Sequence, residues 1–512
     1  MEPATTSHEP SSLGALIERQ AIERGSAPYL LEARGSRVRS FVELRDEVAA
    51  FRAELDGWGL SPGDRIGLLL EDPLTFASWF LAGLSSGVWV APMDPTLNPT
   101  NVRLFEDRAR TLGLAAVVSD REAPENASIS WRQVERVDAI PAALRAIDGS
   151  RVANGGVILS SSGTTGAPKV VPLSTPQLLE TAALIARHNR LEPEDRGFNP
   201  LPLWHVNAEV VAVLATLVAG SSLVLEDSFH RTGFWKLIDD FEVTWINAVP
   251  AIISRLTAIQ GDEVSLPRLR FVRSASAPLS PTLCERFETM TGVPVVESYG
   301  MTEAASQICA NPIEGPRKSG SVGVPVGVHV RVVAPEHGSG GDAVVVGSIE
   351  IRGTTVISAY ESQSYADRFD ADGWLSTGDL GYFDDDGYLF IVGRSDDVIN
   401  RGGEKIYPLE IENFLAALEE VAMVVVVGEA DDVFGQVPVA YVQPRDTAVL
   451  LTPDAAAALV STLRAQLGSA FVKAHRPASV RLVHHLPANG TGKVRKGAVR
   501  SGEVIVDYEE AV

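Results

Sequence analysis

The chain has 512 residues, 45% hydrophobic and 21% charged, which is the make-up of an ordinary globular protein and excludes collagen-like, low-complexity and membrane-embedded classes. That length exceeds what one hydrophobic core usually supports and predicts at least two domains. With 66 acidic against 44 basic side chains the formal net charge is −22, which argues against nucleic acid or an anionic membrane as a general partner and requires local donors for any anionic substrate.

In chain order, residues 1–12 lack the basic and apolar regions of a signal peptide, so none is expected. Apolar residues recur at helical spacing over 13–24 and 41–60, the second with Ser40 as cap. Between them, residues 29–32 and 38–40 are set to pair as a hairpin around Gly35. A repeated alternation follows: a strand over 65–70, a helix about 75–87, a strand over 88–92, a helix from about Asn101 and a strand over 114–119. Strands alternating with helices predict an α/β protein with a parallel sheet covered on both faces.

The short apolar run Val157-Ile158-Leu159 reads as a strand that enters a loop of hydroxyls and glycines, Ser160-Ser161-Ser162-Gly163-Thr164-Thr165-Gly166-Ala167-Pro168-Lys169. Gly163 and Gly166 allow backbone N–H groups close to a phosphate, the hydroxyls add donors, and Lys169 adds a mobile cation. The spacing is not that of a Walker A loop, because only two residues separate the glycines and Val170 follows the lysine. The segment resembles the phosphate loop of the acyl-adenylate-forming superfamily, which includes acyl-CoA synthetases, peptide-synthetase adenylation domains and luciferases. The resemblance implies that Ser161, Ser162, Gly163, Thr164, Thr165, Gly166 and Lys169 grip ATP.

The later motifs fit the same resemblance, in order. Ser174-Thr175-Pro176-Gln177 is a helix start with a hydroxyl cap and an early proline. The Pro-Leu-Trp-His element places His205, by the resemblance, beside the acyl group as a wall or gate and not as a general base. Residues 245–250 read as a strand ending at a turn, and a second strand ends in the small residues Ser274, Ala275 and Ser276, which the resemblance gives to the adenine and the acyl pocket. In Tyr299-Gly300-Met301-Thr302-Glu303 the family reading gives Tyr299 and Gly300 to the purine, Thr302 to the α-phosphate and Glu303 to Mg²⁺, for which a hard carboxylate oxygen is suited. Asp379, after Ser376-Thr377-Gly378, can accept from both hydroxyls of a ribose. Gly393-Arg394-Ser395-Asp396 resembles the hinge, with Arg394 on ribose or phosphate and Asp396 as pivot, and Gly402-Gly403 would line the tunnel of the thiol acceptor.

Near the end, Lys493 lies between Gly492 and Val494, and the resemblance makes it the adenylation lysine, a catalytic group together with Thr302, Glu303 and His205. The expected organisation is a large N-terminal domain of layered α/β sheets over 1–393, a hinge at 394–396 and a small mobile α+β domain over 397–512. The implied reaction joins a carboxylate to Mg·ATP as acyl-AMP and then transfers the acyl group to CoA. Residues 400–408, 270–277 and 314–323 look most like the oxalate-CoA ligase branch near 4-coumarate-CoA ligase. Ser306, assigned to the acid pocket with Ser274 and Ser276, stands where that branch has histidine, and Pro278 where it has serine, which keeps aryl and other short acids open. A carrier protein as acceptor, or nitrite activation toward an arylamine, are the alternatives. Only Cys284 and Cys309 occur, in keeping with a reducing cytoplasm, and no nucleic acid or membrane partner is expected.

Overall fold

The computed structural model of the protein describes residues 12–95, 102–124, 127–134, 155–162, 168–257, 266–334, 345–488 and 494–511. A nine-stranded sheet runs in the order Val324–Pro325, Cys309–Ala310, Val295–Tyr299, Phe271–Ser274, Trp245–Ala248, Arg196–Asn199, Ser222–Leu225, Pro28–Glu32, Val38–Ser40. From Val295–Tyr299 to Pro28–Glu32 neighbouring strands are parallel, and the outer strands pair antiparallel. A six-stranded sheet runs Ser130–Gln133, Ala116–Ser119, Arg65–Leu69, Trp89–Pro92, Gly156–Ser162, Pro168–Ser174. The helix Pro73–Ser86 touches strands of both sheets, and every residue in it but Pro73 is buried, the signature of a helix apolar all round. Parallel strands require cover on both faces, and helices wedged between two sheets supply it.

Helix starts follow their caps. Ser40 and Ser174 each form a capping box with the residue three places on, Glu43 and Gln177, satisfying backbone donors that the first turn leaves free. The third helix begins at Pro73, not near Thr75 as the apolar pattern predicts, because the Asp72 side chain accepts from the Thr75 N–H and proline suits the first helical position. The apolar stretch after His205 is a π-helix over Ala208–Leu214 that passes into an α-helix over Ala215–Ala219. Its widened turns are the kind of local departure that collects at functional sites.

A four-stranded antiparallel sheet, His329–Val333, Gly347–Arg352, Leu375–Phe383, Leu389–Arg394, follows. From Ile399 onward a further sheet forms, in which Val421–Asp431 and Gly435–Pro444 make the longest pairing. Its core is its own: Ile399, Ile411, Leu415, Val426, Val460 and Leu463 pack together, apart from the large core that ends at Leu389. Among the described residues no helix is long and apolar enough to cross a membrane.

Candidate adenylate-forming site

The phosphate-loop segment is a β-hairpin. The strand Gly156–Ser162 carries Ser160 to Ser162 inside the ladder, with Ser161 opposite Lys169 and Ser162 opposite Pro168. This corrects the expectation of a loop starting at Ser160: cross-strand pairing to Pro168–Ser174 extends the strand past its apolar run. Gly163, Thr164, Thr165 and Gly166 lie outside the described residues. The hairpin aims Lys169 at Glu303, with which it forms a short ion pair, both side chains being nearly buried. Tyr360 completes the group: its hydroxyl donates to Glu303 Oε1 at 2.8 Å and its ring lies 4.5 Å from the Lys169 ammonium, a favourable cation–π placement. Burial, with the Glu303 charge beside it, pushes the Tyr360 phenol up.

Glu303 sits in the 3₁₀ turn Thr302–Ala304, directly after the strand Val295–Tyr299. The turn folds back so far that a Cβ on Gly300 would meet the Ser306 carbonyl oxygen at 1.3 Å, so only glycine fits. Ala305 and Ser306 hold positive φ angles of 50° and 101°, strain of the kind stored at binding sites. Tyr299 donates its hydroxyl to Asp379, and burial followed by the Asp379 charge pushes its phenol up. Asp379 lies within the strand Leu375–Phe383, opposite Arg394, whose Nη1 donates to Asp379 Oδ1 at 3.2 Å. Arg394 Nε in turn donates to Asp396 Oδ1 at 3.3 Å. Tyr299, Asp379, Arg394 and Asp396 thus form one continuous polar chain.

His205 precedes the π-helix, and its carbonyl accepts from the Glu209 N–H at 3.2 Å. Burial pushes the imidazole down, against a small pull upward from Asp94, which favours the neutral ring of a wall residue. Asn207 donates to Ser276 Oγ at 3.3 Å, joining the helix start to the turn after Phe271–Ser274, where Ser276 has φ 72°. Ser274 is fully buried and its Oγ has no partner. Ser306 is buried on the Glu303 turn.

Beside these, Glu209 is fully buried and neither carboxylate oxygen has a partner. Burial pushes its carboxyl well above the ordinary value. The unfolded chain ionises this group near about 4.3, so its contribution is fully present below that pH and is lost as pH rises toward the folded pKa. Glu209→Gln is therefore expected to be more stable than the parent, by a margin growing about 1.4 kcal/mol per pH unit within that window. Denaturant unfolding of both proteins at pH 5 and pH 8 checks it; a margin that shrinks with pH contradicts it.

Beyond residue 396 lie two further stretches that the sequence singles out. Gly402 and Gly403, at φ 59° and 100°, make the turn between Ile399–Arg401 and Glu404–Ile406. Lys493 lies outside the described residues, but its flanks form an antiparallel bridge between Ala488 and Val494. Just after it, Lys496 pairs with Asp397 at 3.3 Å and Glu412 at 2.9 Å, and Arg500 with Asp397 at 2.5 Å. Burial pushes Asp397 up, yet those two cations hold it below its ordinary value.

The model for AMP-binding enzymes matches residues 17–361, and that for the AMP-binding enzyme C-terminal domain matches 410–493. The chain belongs to the AMP-binding enzyme family. The sulfoacetate–CoA ligase of Cupriavidus necator is 33% identical over 95% of this chain and 96% of its own length. The oxalate–CoA ligase of Arabidopsis thaliana is 33% identical over 88% and 91%. ATP-bound MatB from Rhodopseudomonas palustris superimposes with a TM-score of 0.84 at 27% identity, covering 96% of this chain and 99% of that one. Within this AMP-binding enzyme, Tyr360, Asp397 and Lys496 are residues beside the candidate positions that sequence reasoning did not single out. A lysine three residues past Lys493 and an aspartate beside Asp396 carry no signal separate from their neighbours.

Proposed function

We propose that the chain is an ATP-dependent acyl-CoA synthetase of the AMP-forming kind, joining a small carboxylic acid to CoA through an acyl-AMP. A carboxylate oxygen attacks the α-phosphorus of ATP and the bond to pyrophosphate breaks. The thiol sulfur then attacks the acyl carbon, AMP leaves with the former carboxylate oxygen, and the thiol proton passes to solvent. The observation that supports this most is the polar chain Tyr299–Asp379–Arg394 lying one turn of backbone away from the Lys169–Glu303 pair. In this reading the first set holds adenine and ribose, and the second meets the phosphates.

The other roles follow from position. Ser161, Ser162, Gly163, Thr164, Thr165, Gly166 and Lys169 bind the pyrophosphate end, and Thr302 the α-phosphate. His205, Ser274, Ser276 and Ser306 wall the acid. Glu303 suits Mg²⁺, since one hard carboxylate is enough for an ion held chiefly by phosphates and water, and no larger metal-ligand cluster occurs among the described residues. That ion supplies neutralisation of phosphate charge; for Glu303 to serve it, Lys169 and Tyr360 must release the carboxylate and Lys169 turn to phosphate. Residues 1–393 form the large domain and 397–512 the small one, which turns at Asp396 to bring Lys493 in for the first step and Gly402–Gly403 for the second. Free CoA is the acceptor, the acid is short, and the reaction belongs to the cytoplasm.

A panel of small acids, each with and without CoA, tests this by pyrophosphate release and product mass. One acid yielding its acyl-CoA supports the reading. Consumption of ATP only with nitrite and an arylamine, without need of CoA, overturns the carboxylate and thiol assignment; transfer only to a carrier protein's phosphopantetheine overturns CoA alone.

A further inference from the structure

Among the described residues, Arg273 is a buried charge without a counterion. It sits third in the strand Phe271–Ser274, 2% exposed, one residue before Ser274 and three before Ser276. Its guanidinium meets only neutral oxygens: Asn207 Oδ1 and Asn247 Oδ1 at 3.4 Å and Gln307 Oε1 at 3.2 Å. Among the described residues no carboxylate pairs with it, whereas Arg39 and Arg37, also largely buried, face Glu47 and Asp72. Arg273 Nε, Gln307 Nε2 and Ser274 Oγ are all buried without a hydrogen-bond partner. Burial pushes the guanidinium down to about 9, which leaves it charged at neutral pH.

An unpaired buried cation costs several kcal/mol of stability and persists where something else gains by it. Here two of the vacant donors, Arg273 Nε and Gln307 Nε2, belong to one network with residues placed on the acid. Asn207 links them directly, touching Arg273 through Oδ1 and Ser276 through Nδ2, and it follows His205 by two positions. Resting on the ligase reading above, we infer that Arg273 binds a second anionic group on the acid, so that the substrate is a short dianion carrying a carboxylate to be activated and a further carboxylate or sulfonate. A planar guanidinium with free N–H groups matches either oxyanion, and Gln307 Nε2 adds a neutral donor. Asn207, Asn247 and Gln307 accept from Arg273 without neutralising it, which holds its charge for the ligand. Glu209, also buried without a partner, has its carboxyl pushed up by burial and makes no ion pair with Arg273 among the described residues.

The experiment compares acids in matched pairs on the same skeleton: a monocarboxylic acid, and its analogues with a terminal carboxylate or sulfonate. Wild type, Arg273→Met and Arg273→Lys are assayed for kcat and KM by pyrophosphate release. Wild type is expected to favour one dianion over its monoacid by about 100-fold in kcat/KM. Arg273→Met should erase that preference, mainly through KM, and leave the monoacid within about threefold, while Arg273→Lys recovers part of it. The carboxylate and sulfonate arms show which oxyanion fits. Because each pair is read on one protein, a general weakening of the fold lowers both acids alike and leaves their ratio unchanged. A ratio unchanged in Arg273→Met, or a wild type that favours the monoacid, overturns the inference while the ligase reading stands. Release of pyrophosphate with no acid of either kind overturns the ligase reading itself.

Discussion

Lys493→Ala is expected to lower acid-dependent pyrophosphate release by about 1,000-fold while leaving transfer from a supplied acyl-adenylate to CoA within about threefold. In the first step negative charge builds at the α-phosphorus as carboxylate and phosphate, both anions, are forced together, and a positioned cation counters it. In the second step AMP leaves from carbon and that cation has no charge to meet. In the proposed reading this asymmetry is why Lys493 is needed for the first step and not for the second. Lys496 and Arg500, just beyond the lysine in sequence, are paired with Asp397, the neighbour of the proposed pivot Asp396. In the proposed reading, a turn about Asp396 moves Lys496 and Arg500 together with Asp397. Quench-flow measurement of the two half-reactions checks the prediction; equal losses in both place Lys493 outside adenylation.

Glu303→Gln is the second large effect, with kcat expected to fall by about 100-fold or more and the fold to lose about 3 kcal/mol. The two losses have different origins. Stability falls because Lys169, nearly buried against Glu303 and the Tyr360 ring, is left without its counter-charge. Activity falls because the single hard carboxylate of the turn is gone. A double variant with Lys169→Met separates them: removing both partners should restore most of the stability and none of the activity. Recovery of activity along with stability shows Glu303 to be only a structural partner of Lys169.

Local signals in the sequence located most elements, and long-range ones escaped it. The helix Leu13–Arg24, the capping boxes at Ser40 and Ser174, and the hairpin of Pro28–Glu32 with Val38–Ser40 follow from periodicity and turn chemistry within a dozen residues. The strand at Ser160–Ser162 did not, because serine is not among the residues enriched in strands and the partner, Pro168–Ser174, decides. Tyr360 reaches Glu303 across 57 positions, and no local pattern encodes that meeting. The π-helix after Asn207 is invisible for another reason: apart from Glu209 its residues are apolar and all of them are buried, so no face distinguishes one helical period from another. Arg273 did leave a trace, a charge inside the run Phe271-Val272-Arg273-Ser274 of a buried strand. Its lack of a counterion depends on residues from three other segments and becomes visible only when they are assembled.

The most direct test of the central claim follows one oxygen atom. The acid that the enzyme turns over best is labelled with oxygen-18 in its carboxylate, and the AMP formed during thioester synthesis is weighed. Attack of the carboxylate on the α-phosphorus requires one labelled oxygen to leave in AMP, so AMP heavier by a single label is the expected result. Unlabelled AMP, or ADP and phosphate in its place, contradicts an acyl-adenylate intermediate.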